Sequence, residues 1–264
     1  LMVFQYICLM IITDTHTHLY AEQFDHDREN VIQKAIKMGV SRFFVPAIDS
    51  TYYDRMVDLE QTFPDHIFLM AGLHPTHVKE NFKEELIIVQ NFLDVHKCYA
   101  VGEIGIDLYW DKSFLIQQQE AFEFQINLAK KKELPIVIHC RDAFNEIFEI
   151  MDRLCDDDLS GIFHCFTGNE QQAEKILEYG FKLGIGGVVT FKNGGLDQFL
   201  HRIPLEHIVL ETDAPYLSPV PFRGKRNESS YLLNILEKLV DIYQLAPEQI
   251  AQITTLNSKE IFGV

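Results

Sequence analysis

Two histidines one residue apart, His16 and His18, are the first residues in this chain whose type and spacing could do chemistry. Side chains two apart in a strand point the same way, so both imidazoles can face one ion; taken alone they also read as two exposed loop histidines. The placement recurs further along. Glu103 follows the run 99–102, His139 ends PIVIH, His164 ends GIFH and Asp213 follows IVLET. A carboxylate or imidazole at the edge of an apolar run is costly to bury unless it is paired or bound to metal. Any one of them could be a satisfied structural group; five strand ends repeating the arrangement point to a metal site. Four histidines and two carboxylates exceed what one tetrahedral ion needs. They suit two divalent ions sharing a bridging carboxylate, with Glu103 the natural bridge. Such ions lower the pKa of a bound water and neutralise charge on the group attacked, and Asp213 can both hold an ion and take the proton of that water. The chemistry implied is metal-assisted hydrolysis. No G-x-S-x-G is present, and no serine or cysteine nucleophile is required.

Those side chains need strands to position them. Short apolar runs predict strands at 10–13, 42–47, 67–71, 99–101, 136–138, 161–163, 182–185 and 208–210. Helical patterns occupy 28–38, 52–61, 84–95, 114–132, 143–151, 171–179, 231–243 and 247–261. Eight strands with intervening helices in 264 residues predict a single-domain α/β protein, a (β/α)8 TIM barrel, whose active site lies at the carboxyl ends of the strands. An open nucleotide-binding sheet would carry a Gly-rich loop after its first strand; here that place holds TDTHTHL, and the glycines of 184–187 precede no P-loop Lys-Ser/Thr. The apolar run 1–12 is too short to span a bilayer and lacks the basic leader of a signal peptide. Residues 1–9 read as an N-terminal extension, since Met10 is a natural start, and 10–264 as the hydrolase barrel. Five scattered cysteines with no C-x-x-C pair indicate buried thiols in a reducing, cytoplasmic setting.

The residues singled out above lie in a series of motifs: TDTHTHL, GLHP (72–75), GEIGID (102–107), PIVIHCRDA (135–143), GIFHCFTG (161–168), ETDAPYLSP (211–219) and RGKRNE (223–228), with TTLNSKEIF at 254–262. Their order resembles that of the TatD family of amidohydrolase-like metal-dependent hydrolases. The resemblance implies that His16, His18, Glu103 and Asp213 bind one ion and that Glu103, His139 and His164 bind a second. It implies Mg²⁺-dependent deoxyribonuclease activity, 3'-5' exonuclease-like, and places His74 and Arg141 on the substrate side. His74 also reads as a helix-entry histidine before Pro75, and Arg141 as an ion-pair residue. Ligand chemistry pulls toward other ions, because imidazole-rich sites favour Zn²⁺ or Mn²⁺ whereas Mg²⁺ prefers oxygen.

Arg223, Lys225 and Arg226 form the compact basic cluster beside a ligand motif and are expected to grip phosphates, unless they are a solvated turn. Tyr109, Trp110 and Phe166 lie just beyond ligand strands and could stack on bases or pack inward. Leu108 stands where the family often has an aromatic, Phe222 where it often has histidine, and Ser229 where proline often opens a helix; Ser229 is expected to cap that helix. A net charge of −16 argues against non-specific duplex binding and stands against a nuclease; the resemblance nevertheless implies DNA as substrate, single-stranded ends above all, with no membrane and no obligate protein partner expected. The alternative keeps the metals and changes the bond to a small ester, amide or phosphoester, aminoacyl-RNA esters included.

Overall fold

Eight short strands, buried along most of their length, set the architecture. A computed structural model describes residues 11–264; the expected extension at 1–9 lies outside the described residues. The strands are β1 (Ile12–Asp14), β2 (Val40–Pro46), β3 (Ile67–Met70), β4 (Val101–Asp107), β5 (Ile136–Arg141), β6 (Gly161–Phe163), β7 (Lys182–Ile185) and β8 (Ile208–Leu210). All pair in parallel, β1 through β3 in one run and β4 through β8 in another. Isolated parallel bridges, Ala71 to Val101 and Thr17 to Ala214, join the two runs, and the Thr15 amide donates to the Leu210 carbonyl at 3.0 Å. The sheet is therefore the TIM barrel expected.

Helices α1 (Arg28–Lys37), α2 (Tyr53–Thr62), α3 (Phe82–Val95), α4 (Leu115–Lys132), α5 (Phe144–Leu154) and α6 (Glu170–Glu178) connect successive strands, and α7 (Leu232–Tyr243) and α8 (Pro247–Phe262) follow β8. Local chemistry fixes their ends. Asn169 and Gln172 form a capping box at the start of α6. Pro247 opens α8 and Gly263, at φ 78°, closes it. Short 3-10 turns occupy the β7–β8 connection. Ser229 begins such a turn rather than capping α7; its hydroxyl lies 3.4 Å from that of Thr17.

The barrel interior follows from period two. Phe44, Met70, Val137, Ile162 and Val209 form an inner apolar cluster, while their neighbours Phe43, Val45, Ile136, Ile138, Phe163, Ile208 and Leu210 belong to the layer under the helices. Phe262 at the end of α8 stacks on Phe44 with centroids 3.9 Å apart, sealing this interior. The opposite end of the barrel is left to polar residues.

One strand differs from expectation in a way that matters. β4 does not stop at 101 but runs on to Asp107, because two glycines let it press against β5. A Cβ on Gly102 would lie 2.8 Å from Val137 Cβ, and one on Gly105 (φ +138°) would lie 2.1 Å from the His139 carbonyl oxygen. In sequence those glycines read as a strand ending. Cys98, Cys140, Cys155 and Cys165 are free and partly buried, and burial pushes the Cys98 thiol up to about 12. Among the described residues no helix is long and apolar enough to cross a membrane.

Candidate metal centre

The inward faces of β5, β6 and β8 change from apolar to polar at or just beyond their carboxyl ends. Val137 is followed two residues later by His139, Ile162 by His164, and Val209 by Glu211 and then Asp213. All six expected ligands meet around Glu103. Its Oε2 lies 3.0 Å from His16 Nε2 and 3.7 Å from His18 Nε2; its Oε1 lies 2.7 Å from both His139 Nδ1 and His164 Nε2. Asp213 Oδ1 is 3.5 Å from His18 Nε2 and 3.8 Å from His16 Nε2. Two of the groups able to hold an ion, His16 with His18 and Asp213, and His74 with Glu103 and His139, thus meet across one carboxylate.

The hydrogen bonds around this cluster decide which ring nitrogens carry lone pairs. The Tyr20 hydroxyl donates to the Pro46 carbonyl at 2.9 Å, so its contact with His18 Nδ1, also 2.9 Å, must be a hydrogen bond donated by the ring. His18 Nε2 therefore turns a lone pair inward. Asp107 Oδ2 accepts from His139 Nε2 at 2.9 Å, which leaves the lone pair of His139 Nδ1 facing Glu103 Oε1. Acceptors facing acceptors at such distances are stable only with a cation or proton between them. The donor set fits divalent ions: imidazole nitrogens and carboxylate oxygens about 3 Å apart match neighbouring ligands of one ion. Asp107 is the kind of outer partner that fixes the orientation of a ligating histidine.

His74 lines the cavity and also touches the cluster, 3.1 Å from Glu103 Oε1 and 3.3 Å from His139 Nδ1. Its Nδ1 accepts the Thr76 amide at 3.1 Å. An amide can only donate, so His74 Nε2 carries the hydrogen and presents a donor to the centre. Burial lowers its pKa to about 4 against the attraction of Glu103, with His139 adding to the lowering, so the ring is neutral.

Charge around Glu103 is tightly coupled. Burial alone would raise Glu103, but the imidazoles packed around it, His164 first and then His74 and His16, hold it well below the usual carboxylate range. Burial pushes His16 down to about 3, helped by His164. His164 goes the other way: burial opposes its protonation, yet Glu103 and Glu211 hold it well above the ordinary imidazole value. A proton on His164 supplies the positive charge that a metal ion would bring, so ion binding must release it. Glu211, buried and raised by that burial, faces His164 Nδ1 at 3.6 Å.

The centre forms the floor of a cavity of about 1270 Å³. Arg141, Tyr109 and Trp110 line it and are exposed, as expected of substrate-side residues. The basic cluster is not brought there. Arg226 donates two 2.7 Å hydrogen bonds to the Asp27 carboxylate and lies over the Phe24 ring. Arg223 lies 3.7 Å from the centroid of Phe191 and Lys225 beside Phe222, and none of the three lines the cavity. Phe166 is buried against Phe144. Leu108 and Phe222, which depart from the family's usual residues, also lie outside it: Leu108 is buried in the core, and Phe222 stacks on Tyr231 at 3.9 Å. Asp107 and Tyr20 were missed by sequence reasoning. Period two counted from Glu103 reaches Asp107, and counted from His16 and His18 reaches Tyr20.

Comparison with known proteins agrees with this geometry. The chain is 38% identical over 255 residues to the metal-dependent hydrolase YabD of Bacillus subtilis, covering 96% of this chain and all of the relative. It is 31% identical over 258 residues to the 3'-5' ssDNA/RNA exonuclease TatD of Citrobacter rodentium, covering 95% and 97%. The crystal structure of YjjV, a TatD homologue from Escherichia coli, superposes with a TM-score of 0.91 at 30% identity, covering 98% of this chain and 99% of that one. The family model described as TatD related DNase matches residues 13–263, and the chain accordingly belongs to the TatD family of metal-dependent hydrolases.

Proposed function

We propose that this protein hydrolyses phosphodiester bonds at the ends of single-stranded DNA, with the 3'-5' polarity that the Citrobacter relative carries in its name. The observation that carries the reading is Glu103, whose two oxygens each face a different set of imidazoles beneath a cavity wide enough for a nucleotide. In this reading His16, His18 and Asp213 would hold one divalent ion and His139 and His164 a second, with Glu103 serving both. Bound ions supply a water of lowered pKa and offset the charge of the phosphoryl group. Asp213, more accessible than Glu103, would be the group placed to accept a proton at the cavity floor. His74 directs its Nε2–H at Glu103 Oε1, 3.1 Å away, and so orients that carboxylate beside the substrate, and Arg141 holds a neighbouring phosphate. Mg²⁺ is the ion the family suggests; the imidazoles would also suit Mn²⁺ or Zn²⁺.

The test is hydrolysis of end-labelled single-stranded DNA by metal-stripped protein with Mg²⁺, Mn²⁺ or Zn²⁺ restored, beside Glu103→Ala and Asp213→Ala. Stepwise shortening that requires both the ion and both carboxylates is expected. Turnover by either variant at the wild-type rate would remove the mechanism. A second reading, hydrolysis of a small ester, amide or phosphoester, draws on the absence of Arg223, Lys225 and Arg226 from the cavity. Folded, metal-loaded protein that leaves DNA intact would select it.

A further inference from the structure

The mouth of the cavity carries two aromatic side chains, Tyr109 and Trp110, that the hydrolytic chemistry does not use, set beside Arg141. Tyr109 and Trp110 are 54% and 70% exposed, and their rings meet edge to face with centroids 5.0 Å apart. The Arg141 guanidinium lies 3.8 Å from the centroid of Tyr109 and 5.6 Å from that of Trp110. It is exposed and engages no carboxylate among the described residues, unlike Arg226. An indole this exposed beside a free guanidinium is a poor way to end a loop and a good way to receive a flat, anionic ligand.

The position of this group is set from the metal centre. Asp107 Oδ1 accepts the amides of Tyr109 and Trp110 at 3.0 and 3.1 Å, while its Oδ2 accepts from His139 Nε2. One buried carboxylate therefore fixes both a candidate metal ligand and the aromatic pair. On the β8 side of the same cavity Tyr216 and Leu217 are exposed as well, with Tyr216 against the His18 ring at 5.9 Å.

We propose that Tyr109, Trp110 and Arg141 form a nucleotide subsite in which an unpaired base stacks on Trp110 and Arg141 holds an adjoining phosphate. The proposal rests on the nucleic-acid reading of the centre and adds how the strand is recognised. Every base offers a π-face, so such a subsite tolerates any sequence. A base inside a duplex has both faces covered, so the subsite selects single strands. Stacking also suits a protein of net charge −16, which has no broad basic surface on which to rely.

Trp110 is the sole tryptophan of the chain, so tryptophan emission reads this subsite directly. The full-length, Mg²⁺-loaded protein is mixed by stopped flow with oligothymidylate, with an all-abasic oligomer of the same length and charge, or with a blunt duplex. Quenching by oligothymidylate alone is expected. Trp110→Ala should raise KM for oligothymidylate roughly tenfold while lowering kcat less, and Trp110→Phe should recover most of the loss. Equal quenching by the abasic oligomer would overturn base stacking. Cleavage of oligothymidylate with unmoved emission and an unchanged KM in Trp110→Ala would overturn the subsite and leave the nuclease reading standing. Quenching without cleavage would keep the subsite and remove the nuclease; neither signal would remove both.

Discussion

Replacing Asp107 by asparagine should weaken metal binding by exchanging the tautomer of His139. In the native arrangement Asp107 Oδ2 accepts from His139 Nε2 at 2.9 Å while Oδ1 accepts two backbone amides. Asparagine has one acceptor oxygen where aspartate has two. If that oxygen stays with the two amides, the new NH2 group faces His139 Nε2, which must then accept. The ring hydrogen moves to Nδ1, the atom that faces Glu103 Oε1, and the lone pair meant for the ion is lost. Turning the amide over instead leaves two N–H groups unpaired, each costing about 1–3 kcal/mol, so the tautomer change is the cheaper response. Outer partners of this kind are worth about 10–100-fold in metal affinity, or about 1.4–2.7 kcal/mol. Titrating ions into metal-stripped protein against a chromogenic chelator measures the loss, and ¹⁵N shifts of His139 report the tautomer. Asp107→Ala, which leaves the ring free to choose, should lose less at the metal than Asp107→Asn. Wild-type affinity in the asparagine variant, or the reverse order of the two variants, would refute the account.

Two further expectations concern residues away from the chemistry. Arg226→Ala should cost about 1 kcal/mol of stability, because Arg226 is committed to Asp27. The hydrogen bond from Arg226 lowers the Asp27 pKa, so the pair contributes fully above the unfolded carboxylate value of about 3.9 and loses its contribution as pH falls through the lower folded value. Urea midpoints of wild type and variant should therefore differ at neutral pH and converge in acid; a raised KM for DNA with unchanged stability would return this loop to the substrate. Gly105→Ala should destabilise by on the order of 3 kcal/mol, since its Cβ would meet the His139 carbonyl oxygen at 2.1 Å on a backbone of φ +138°. A urea midpoint within error of wild type, at unchanged slope, would contradict the close approach of β4 to β5.

Glu103, His139, His164 and Asp213 were legible because burying a polar group at the end of an apolar run needs a reason, and that cost is visible in sequence alone. The strands 161–163, 182–185 and 208–210 were legible for the same reason, as short apolar runs between polar turns. The tail of β4 was not, because Gly102 and Gly105 mark a close approach to a neighbouring strand that only the fold reveals. Losing that tail also hid Asp107. The basic cluster failed for a different reason. Three cations within four residues look like one surface, yet the Arg226 partner, Asp27, lies 199 residues away in sequence, and no local pattern announces such a pair. His74 was found, but which of its nitrogens faces the centre depends on the Thr76 amide, a geometric fact.

The acidity of the chain, which seemed to oppose an anionic substrate, acts on a different length scale from the site. At physiological ionic strength exposed charges are screened within about 8 Å, so most of the net charge of −16 is spent at surfaces remote from the cavity floor. The carboxylates at the cavity floor, Glu103, Asp107 and Asp213, with Glu211 behind His164, are the groups that gather cations. Two divalent ions would offset them, and the Arg141 guanidinium adds positive charge at the mouth. The metal-stripped protein should therefore repel a phosphate that the loaded protein attracts. An acidic exterior then works with the aromatic rim, since a surface that holds no duplex leaves a strand end, with its base free to stack, as the part of a nucleic acid best able to enter.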